Sequence, residues 1–301
     1  MRAFRSPQHL LSECGLPPPE GDSEDARGRV LVVAGCLEVP GAILLGAEAA
    51  LRAGAGKVRI ATCRDLAVPV GLAMPEARVL ALPQSPDGRV SAEGAGVVIE
   101  QARACDAALI GPGMMDDGET SGLVRALLAD PPAAALVLDA GAMAALAGDP
   151  ARTHRLERPA VITPHAGEMA RLLGVERSAI EADPLAAPRE AAARFRAVTV
   201  MKGARTHIVV PDGDAYLHAA GHPGLATAGS GDVLAGLIAG LLARGTGPGE
   251  AALWGVYLHG AAGRRLALGL GGVGFLAREI PAVVPPIIAE ILAEILAEIL
   301  A

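Results

Sequence analysis

The chain has 301 residues, 51% hydrophobic but only 2% aromatic, so its core is built from Ala, Val, Leu and Ile. That length suits one large α/β domain or two small ones. A formal charge of −7 without any Lys/Arg cluster argues against a nucleic-acid partner. Cys14, Cys36, Cys63 and Cys105 form no C-x-x-C pair and share no ligand spacing with histidine, so neither a disulfide framework nor a zinc site is expected. The first residues lack the apolar stretch of a signal peptide, and the longest apolar run, Val233 to Ala243, is too short to cross a bilayer. The expectation is a cytoplasmic protein. Only Lys57 and Lys202 are lysine and asparagine is absent, a bias most simply explained at the coding level.

Residues 1–28 read as an arm with turn chemistry at Pro17-Pro18-Pro19 and Gly21-Asp22-Ser23. Arg29–Ala34 is a short β-branched run ending at Gly35, the pattern of a buried parallel strand. Pro40-Gly41-Ala42 opens a helix that runs to Arg52 and closes at Gly54-Ala55-Gly56. Strand-like runs recur at Lys57–Ala61, Ala107–Ile110, Ala135–Leu138, Ala160–Ile162, Ala197–Met201 and His207–Val210, with helical patterns between most of them. This alternation predicts an α/β fold with a mostly parallel sheet and helices on both faces. From Ile287 the sequence repeats every four residues as IIAEILAEILAEILA, which predicts an amphipathic helix with Glu290, Glu294 and Glu298 opposite the apolar pairs. The expected organisation is an arm over 1–28, a catalytic domain over 29–285 and a helical tail over 286–301.

Four strands run into polar or Gly-rich turns: Gly111-Pro112-Gly113, Asp139, Thr163-Pro164-His165 and Lys202-Gly203. Ligands of open parallel sheets bind at strand carboxyl ends, so four such turns predict one shared cleft. The strongest motif is Gly224-Leu225-Ala226-Thr227-Ala228-Gly229-Ser230-Gly231-Asp232, followed at once by a helical run. Its glycines allow a tight turn with exposed amides, and the helix start offers unpaired N–H groups to an anion. Asp232 then stands where a catalytic base of phosphoryl transfer belongs; Ser230 or Asp232 acting only as a helix cap is the competing reading. Lys202-Gly203-Ala204-Arg205-Thr206 can meet phosphate oxygens or form a plain hairpin. Glu168, at the start of a predicted helix, either complements its dipole or faces a hydrated Mg²⁺, with His165 at a substrate. His9, His154, His218 and His259 enter no constellation.

The ordered series GRVLVVAG, PGA, ALRAGAG, IGPG, VLDA, TPHAGE, KGART and GLATAGSGDVLAG spans about Gly28 to Gly263 and resembles the ADP-dependent NAD(P)H-hydrate dehydratase family, with its ribokinase-like three-layer sandwich. The resemblance implies Mg²⁺ with ADP or ATP as cosubstrate, and hydrated NADH or NADPH as substrate. It implies that Ala42, Gly113 and His165 touch the hydrate, that Lys202 through Thr206 and Gly231 hold nucleotide phosphates, and that Asp232 is the base. Departures from the family pattern are Cys36 for Ser or Thr, Gly141 and Ala144 in place of an Asp and an Asn, His222 for Asn, and Met114-Met115 for Leu-Gly. The epimerase domain that often precedes this family's domain is absent, so a separate epimerase chain is expected; the family and the repetitive tail imply a homo-oligomer. Two rivals share these motifs: a ribokinase-like small-molecule kinase that leaves phosphate on its product, and a nucleotide-binding protein without catalysis.

Overall fold

The computed structural model describes residues 1–4, 6, 10, 14–16 and 23–300. The triple proline, the Gly21-Asp22 turn and His9 lie outside them. Ten strands form one sheet in the order β1-β10-β9-β8-β7-β6-β5-β2-β3-β4. In chain order these are β1 (Arg2–Phe4), β2 (Arg29–Val33), β3 (Lys57–Cys63), β4 (Ala77–Leu82), β5 (Ala107–Ile110), β6 (Ala135–Leu138), β7 (Val161–Ile162), β8 (Val198–Met201), β9 (Thr206–Val209) and β10 (Ala215–His218). Every pairing is parallel except the two made by β9, so among the described strands β9 alone runs against the rest.

The inner strands are short and buried on both faces, the condition that favours unbroken Val, Leu and Ile runs over alternation. Three strands were not expected from the sequence. β1 lies within the supposed arm and pairs with β10, and Phe4 is buried. β4 sits at the opposite edge with a half-buried pattern. β10 carries Tyr216 and His218, so its run lacks the aliphatic signature.

The helices divide between two faces. α1 (Ala42–Arg52), α8 (Ser230–Ala243), α9 (Pro248–Leu270) and α10 (Ile280–Leu300) pack together on one; α3 (Ala95–Arg103), α4 (Gly118–Ala129), α5 (Ala166–Leu173) and α7 (Ala186–Phe195) cover the other. α2 (Arg64–Ala73) follows β3, and the short α6 (Arg177–Ala182) follows α5. This is the three-layer ribokinase-like sandwich.

The repetitive tail belongs to α10, which starts upstream at Ile280 and carries Pro285 and Pro286 inside it, so the helix crosses residue 286 without a break. Its inner turns pack on the body: Ile287, Ile288 and Ile291 are buried, and Glu290 pairs with Arg265 of α9.

The tightest helix contact is between α1 and α8. A Cβ on Gly236 would lie 2.2 Å from the carbonyl oxygen of Gly46, and one on Gly240 would lie 2.3 Å from that of Ala50. Backbone thus meets backbone, and no rotamer change can relieve an added methyl. Helix propensity alone would favour alanine by ~1 kcal/mol. The clash should outweigh it, so Gly236→Ala is expected to cost about 2 kcal/mol net and lower the melting temperature by several degrees. Gly96→Ala on α3 has open space around its Cβ. It should instead hold or raise the melting temperature in the same thermal-melt series.

Candidate active site

The strand order reverses between β5 and β2, because β2 pairs with β3 on one side and β5 on the other. Such a switch point opens a crevice at the strand carboxyl ends. The turns after the two strands lock together there: Gly35 N donates to Pro112 O at 2.7 Å and Gly111 N donates to Val33 O at 3.0 Å. Gly113 has φ +65°, and a Cβ on it would meet Val39 O at 2.7 Å and the Ala42 Cβ at 2.8 Å. Ala42 and Gly113 therefore line the same small floor, where larger residues would fill the crevice.

A second group of strand ends supplies charge. Lys202, just after β8, is fixed by its backbone N–H, which donates to Pro164 O at 2.8 Å, in a bridge to His165. Its Nζ donates to Asp139 Oδ1 at 2.9 Å and lies 3.7 Å from Glu168 Oε2. Asp139, at the end of β6, is 2% exposed and also accepts from the Thr163 hydroxyl at 2.6 Å. Burial pulls the Lys202 ammonium down, but the Asp139 and Glu168 carboxylates outweigh that and hold its pKa above the usual lysine value. It is a permanent cation.

Asp232 occupies the first turn of α8 beside this cluster. Gly229, at the N-cap, has φ +86°, a conformation open to glycine that turns the chain into the helix. Burial lifts the Asp232 carboxyl, Asp139 lifts it further and Lys202 opposes, leaving a pKa of about 7. A carboxyl poised there accepts protons near neutral pH. The amides of Gly231 and its neighbours point out of the helix start, where an anion gains both N–H bonds and dipole. A Cβ on Gly231 would lie 3.3 Å from Lys202 Nζ, so glycine leaves the space between helix start and ammonium open.

Other expected residues sit around this centre in different roles. His165 caps α5: its Nδ1 accepts from Gly167 N at 2.9 Å and Glu168 N at 3.3 Å, while Glu168 Oε2 accepts from His165 N at 2.8 Å. Its imidazole is half-exposed at the cleft rim. Gly203, Ala204 and Arg205 form an exposed loop, and Arg205 has no hydrogen bond or ion pair to the carboxylate cluster among the described residues. Thr206 opens β9, its hydroxyl 3.5 Å from Gly203 O.

Sequence reasoning missed two participants. Asp139 was placed at the cleft by its strand end but received no chemical role. His259, in the middle of α9, places Nε2 at 2.9 Å from the Ser230 hydroxyl and 3.1 Å from the Ser230 carbonyl oxygen. Burial holds its imidazole at a pKa of about 4, hence neutral. It braces the Gly229-Ser230-Gly231 turn across 29 residues of sequence, so no local pattern could reveal it.

The departure at Gly141 has a packing cause. A Cβ there would stand 2.3 Å from Met115 O and 2.7 Å from Met114 O, so the Met114-Met115 backbone occupies the place of a side chain at 141.

No group of three His, Cys, Asp or Glu side chains converges on a metal-sized site among the described residues. Glu168 offers a carboxylate 3.7 Å from the Lys202 ammonium, a sparse donor set that suits a hydrated Mg²⁺ held mainly by phosphates and water. Two hollows flank the centre. One, of about 200 Å³, lies between Pro223–Thr227 and Val273–Leu276. The other, of about 260 Å³, lies beyond Glu168 between α4 and α5.

Residues 30–285 match a family model described as NAD(P)H-hydrate dehydratase. An ADP-dependent (S)-NAD(P)H-hydrate dehydratase of Xanthomonas campestris pv. campestris is 50% identical over 269 residues, 89% of this chain and 90% of that protein. The enzyme of that name from Bacillus subtilis is 37% identical, covering 81% and 83%. A bifunctional NAD(P)H-hydrate repair enzyme of Moorella thermoacetica is 45% identical, but the match spans only 45% of that longer protein. Among solved structures, the ADP/ATP-dependent NAD(P)H-hydrate dehydratase from Bacillus subtilis, co-crystallised with ATP/Mg²⁺, superposes with a TM-score of 0.81 at 29% identity over 96% of this chain and 99% of that one. A hydroxyethylthiazole kinase from Pyrococcus horikoshii, at 18% identity and TM-score 0.60, shares the fold alone. With its fold, its cleft and the match over residues 30–285 in agreement, the chain belongs to the NAD(P)H-hydrate dehydratase family.

Proposed function

We propose that the chain repairs hydrated NADH and NADPH, using ADP to drive loss of water and releasing AMP and phosphate. The observation that carries this reading is Asp232, a carboxyl with a pKa of about 7 set against a permanent lysine cation at a helix start. Asp232 takes the proton of the hydrate's ring hydroxyl, and that oxygen attacks the terminal phosphorus of ADP, breaking the bond to AMP. The phosphate ester leaves more readily than hydroxide. The lone pair of the ring nitrogen expels it, and a proton lost from the adjacent ring carbon restores the reduced nicotinamide. Ala42 and Gly113 floor the ring site, His165 closes its rim, and Lys202 with the Gly231 amide meets the moving phosphoryl group. The 203–206 loop follows the nucleotide phosphates, and the hollow between Pro223–Thr227 and Val273–Leu276 takes the adenosine. Glu168 would hold a hydrated Mg²⁺, which would supply charge neutralisation for those phosphates. A separate epimerase chain, a cytoplasmic setting and a homo-oligomer complete the reading; the bifunctional relatives, which this chain matches over about half their length, support the first.

Mixing the protein with Mg²⁺, hydrated NADH and either ADP or ATP tests the assignment directly. Nucleotide-dependent return of reduced-nicotinamide absorbance, with inorganic phosphate released, is the expected outcome. Phosphate retained on an organic product would instead assign a kinase.

Asp232→Asn should abolish turnover yet keep nucleotide binding, and unchanged turnover would remove Asp232 from the base role. The same substitution should stabilise the protein. The folded pKa is raised from 3.8 to about 7, so the folded state holds its proton more tightly and loses stability as pH rises through that window. At pH 8 the neutral variant is expected to gain on the order of 2 kcal/mol after allowance for solvent at the rim, read by denaturant titration. Below pH 4 the gain should vanish. Turnover of the unmodified protein should fall on the acid side with a midpoint near 7, as Asp232 becomes protonated.

A further inference from the structure

We propose that the hollow between α4 and α5 is the seat of the hydrate's ADP-ribose half, with Arg125 and Arg171 as its phosphate-binding residues. The inference rests on the proposed substrate and adds to it where the non-reacting two-thirds of that molecule lies.

The cavity measures about 260 Å³ and shares Glu168 with the reaction centre. From Gly113 on the floor of the ring site, the chain runs through Met114 and Met115 directly to Asp116 on the cavity wall. A dinucleotide with its ring over Gly113 therefore has the wall of the hollow only three residues farther along the chain. Its wall is mixed: Met143 and Leu172 offer an apolar surface for a base, while Arg125 and Arg171 bring two guanidinium groups.

The state of those arginines points to an anionic ligand. Arg125 makes no ion pair or hydrogen bond among the described residues. Arg171 meets only Asp116, its Nε 3.4 Å from Oδ2, with both side chains largely in solvent at 62% and 46% exposure. A surface pair of that kind contributes little and yields readily to a better partner. Phosphate is one, because a guanidinium fork binds its oxygens in pairs. The chain carries −7 overall, and its catalytic lysine is already engaged by Asp139. A substrate with a pyrophosphate, and in NADPH a further phosphate, needs cations of its own, and this hollow supplies two beside the cleft.

Fluorescence titration of NADPH, with Mg²⁺ and saturating ADP present, reads the site without turnover. Arg125→Ala and Arg171→Ala should each weaken NADPH binding roughly tenfold, the loss of a charge-assisted contact. ADP affinity should stay where it was, which separates a local contact from a general loss of positive charge. A loss as large for NADH would put the guanidinium on the pyrophosphate, and a loss confined to NADPH would put it on the ribose phosphate. Either outcome supports the assignment. NADPH affinities within twofold of the unmodified protein in both variants, or an equal loss of ADP affinity, would overturn it. Turnover of hydrated NADPH is scored separately: arginine-dependent NADPH binding without turnover would sink the dehydratase reading and leave the cavity assignment standing.

Discussion

The arrangement of this site depends on one buried ion pair. Burial at the end of β8 penalises the Lys202 ammonium, and Asp139, with Glu168, more than offsets that penalty. Asp139 in turn would be an uncompensated buried carboxylate without Lys202 and the Thr163 hydroxyl. The pair joins β6, β7 and β8 at their carboxyl ends, so the three loops that build the cleft are held in register by electrostatics as well as by the sheet. Asp139 also helps lift the Asp232 carboxyl to about 7. The same carboxylate that fixes the cation thus tunes the base.

That base reaches the cleft because α8 lies unusually close to α1. Gly46, Gly236 and Gly240 let the two backbones touch, which seats the start of α8 beside Leu45 and Gly46 of α1. The glycines of the 229–231 turn then serve the ligand, whereas those farther along the helix serve packing. One residue type does two jobs along a single helix, separated by less than two turns. His259 completes the support from the adjacent helix, neutral and bound to Ser230, so the anion-binding turn rests on a group that keeps its charge state across the physiological range.

How much of this could be read in advance follows physical lines. The inner strands were visible because burial on both faces demands uninterrupted aliphatic runs, and Arg29–Val33, Ala107–Ile110 and Ala135–Leu138 supply them. The edge strands β1 and β4 were not, since an edge needs only one buried face or none and tolerates arginine, and β10, one place in from the edge, carries Tyr216 and His218 in place of an aliphatic run. Lys202 and Asp232 were visible because each follows an abrupt change from apolar run to Gly-rich turn. Asp139 was visible as a cleft residue at a strand end, but its bond to Lys202 spans 63 residues and no local pattern shows it. His259 and the arginines of the α4–α5 hollow lie inside regular helices, where only tertiary structure shows which side faces a cleft.

The cluster around Lys202 also explains why a divalent ion and an acidic cleft belong together. Asp139, Glu168 and Asp232 surround a single ammonium, so carboxyl groups outnumber cations three to one and ionisation of Asp232 makes the centre more negative still. Two phosphate-bearing substrates cannot approach such a centre unaided. Asp139 is buried with its Oδ1 already accepting from Thr163 and Lys202, and Glu168 is partly engaged in capping α5. The protein therefore offers a divalent cation charge without a cage, a condition that favours Mg²⁺ arriving with the nucleotide and keeping its waters over a tightly bound resident metal. Gly141 accords with this. The Met114-Met115 backbone fills the space a further acid would take, and in a centre already short of positive charge its absence costs the phosphates nothing.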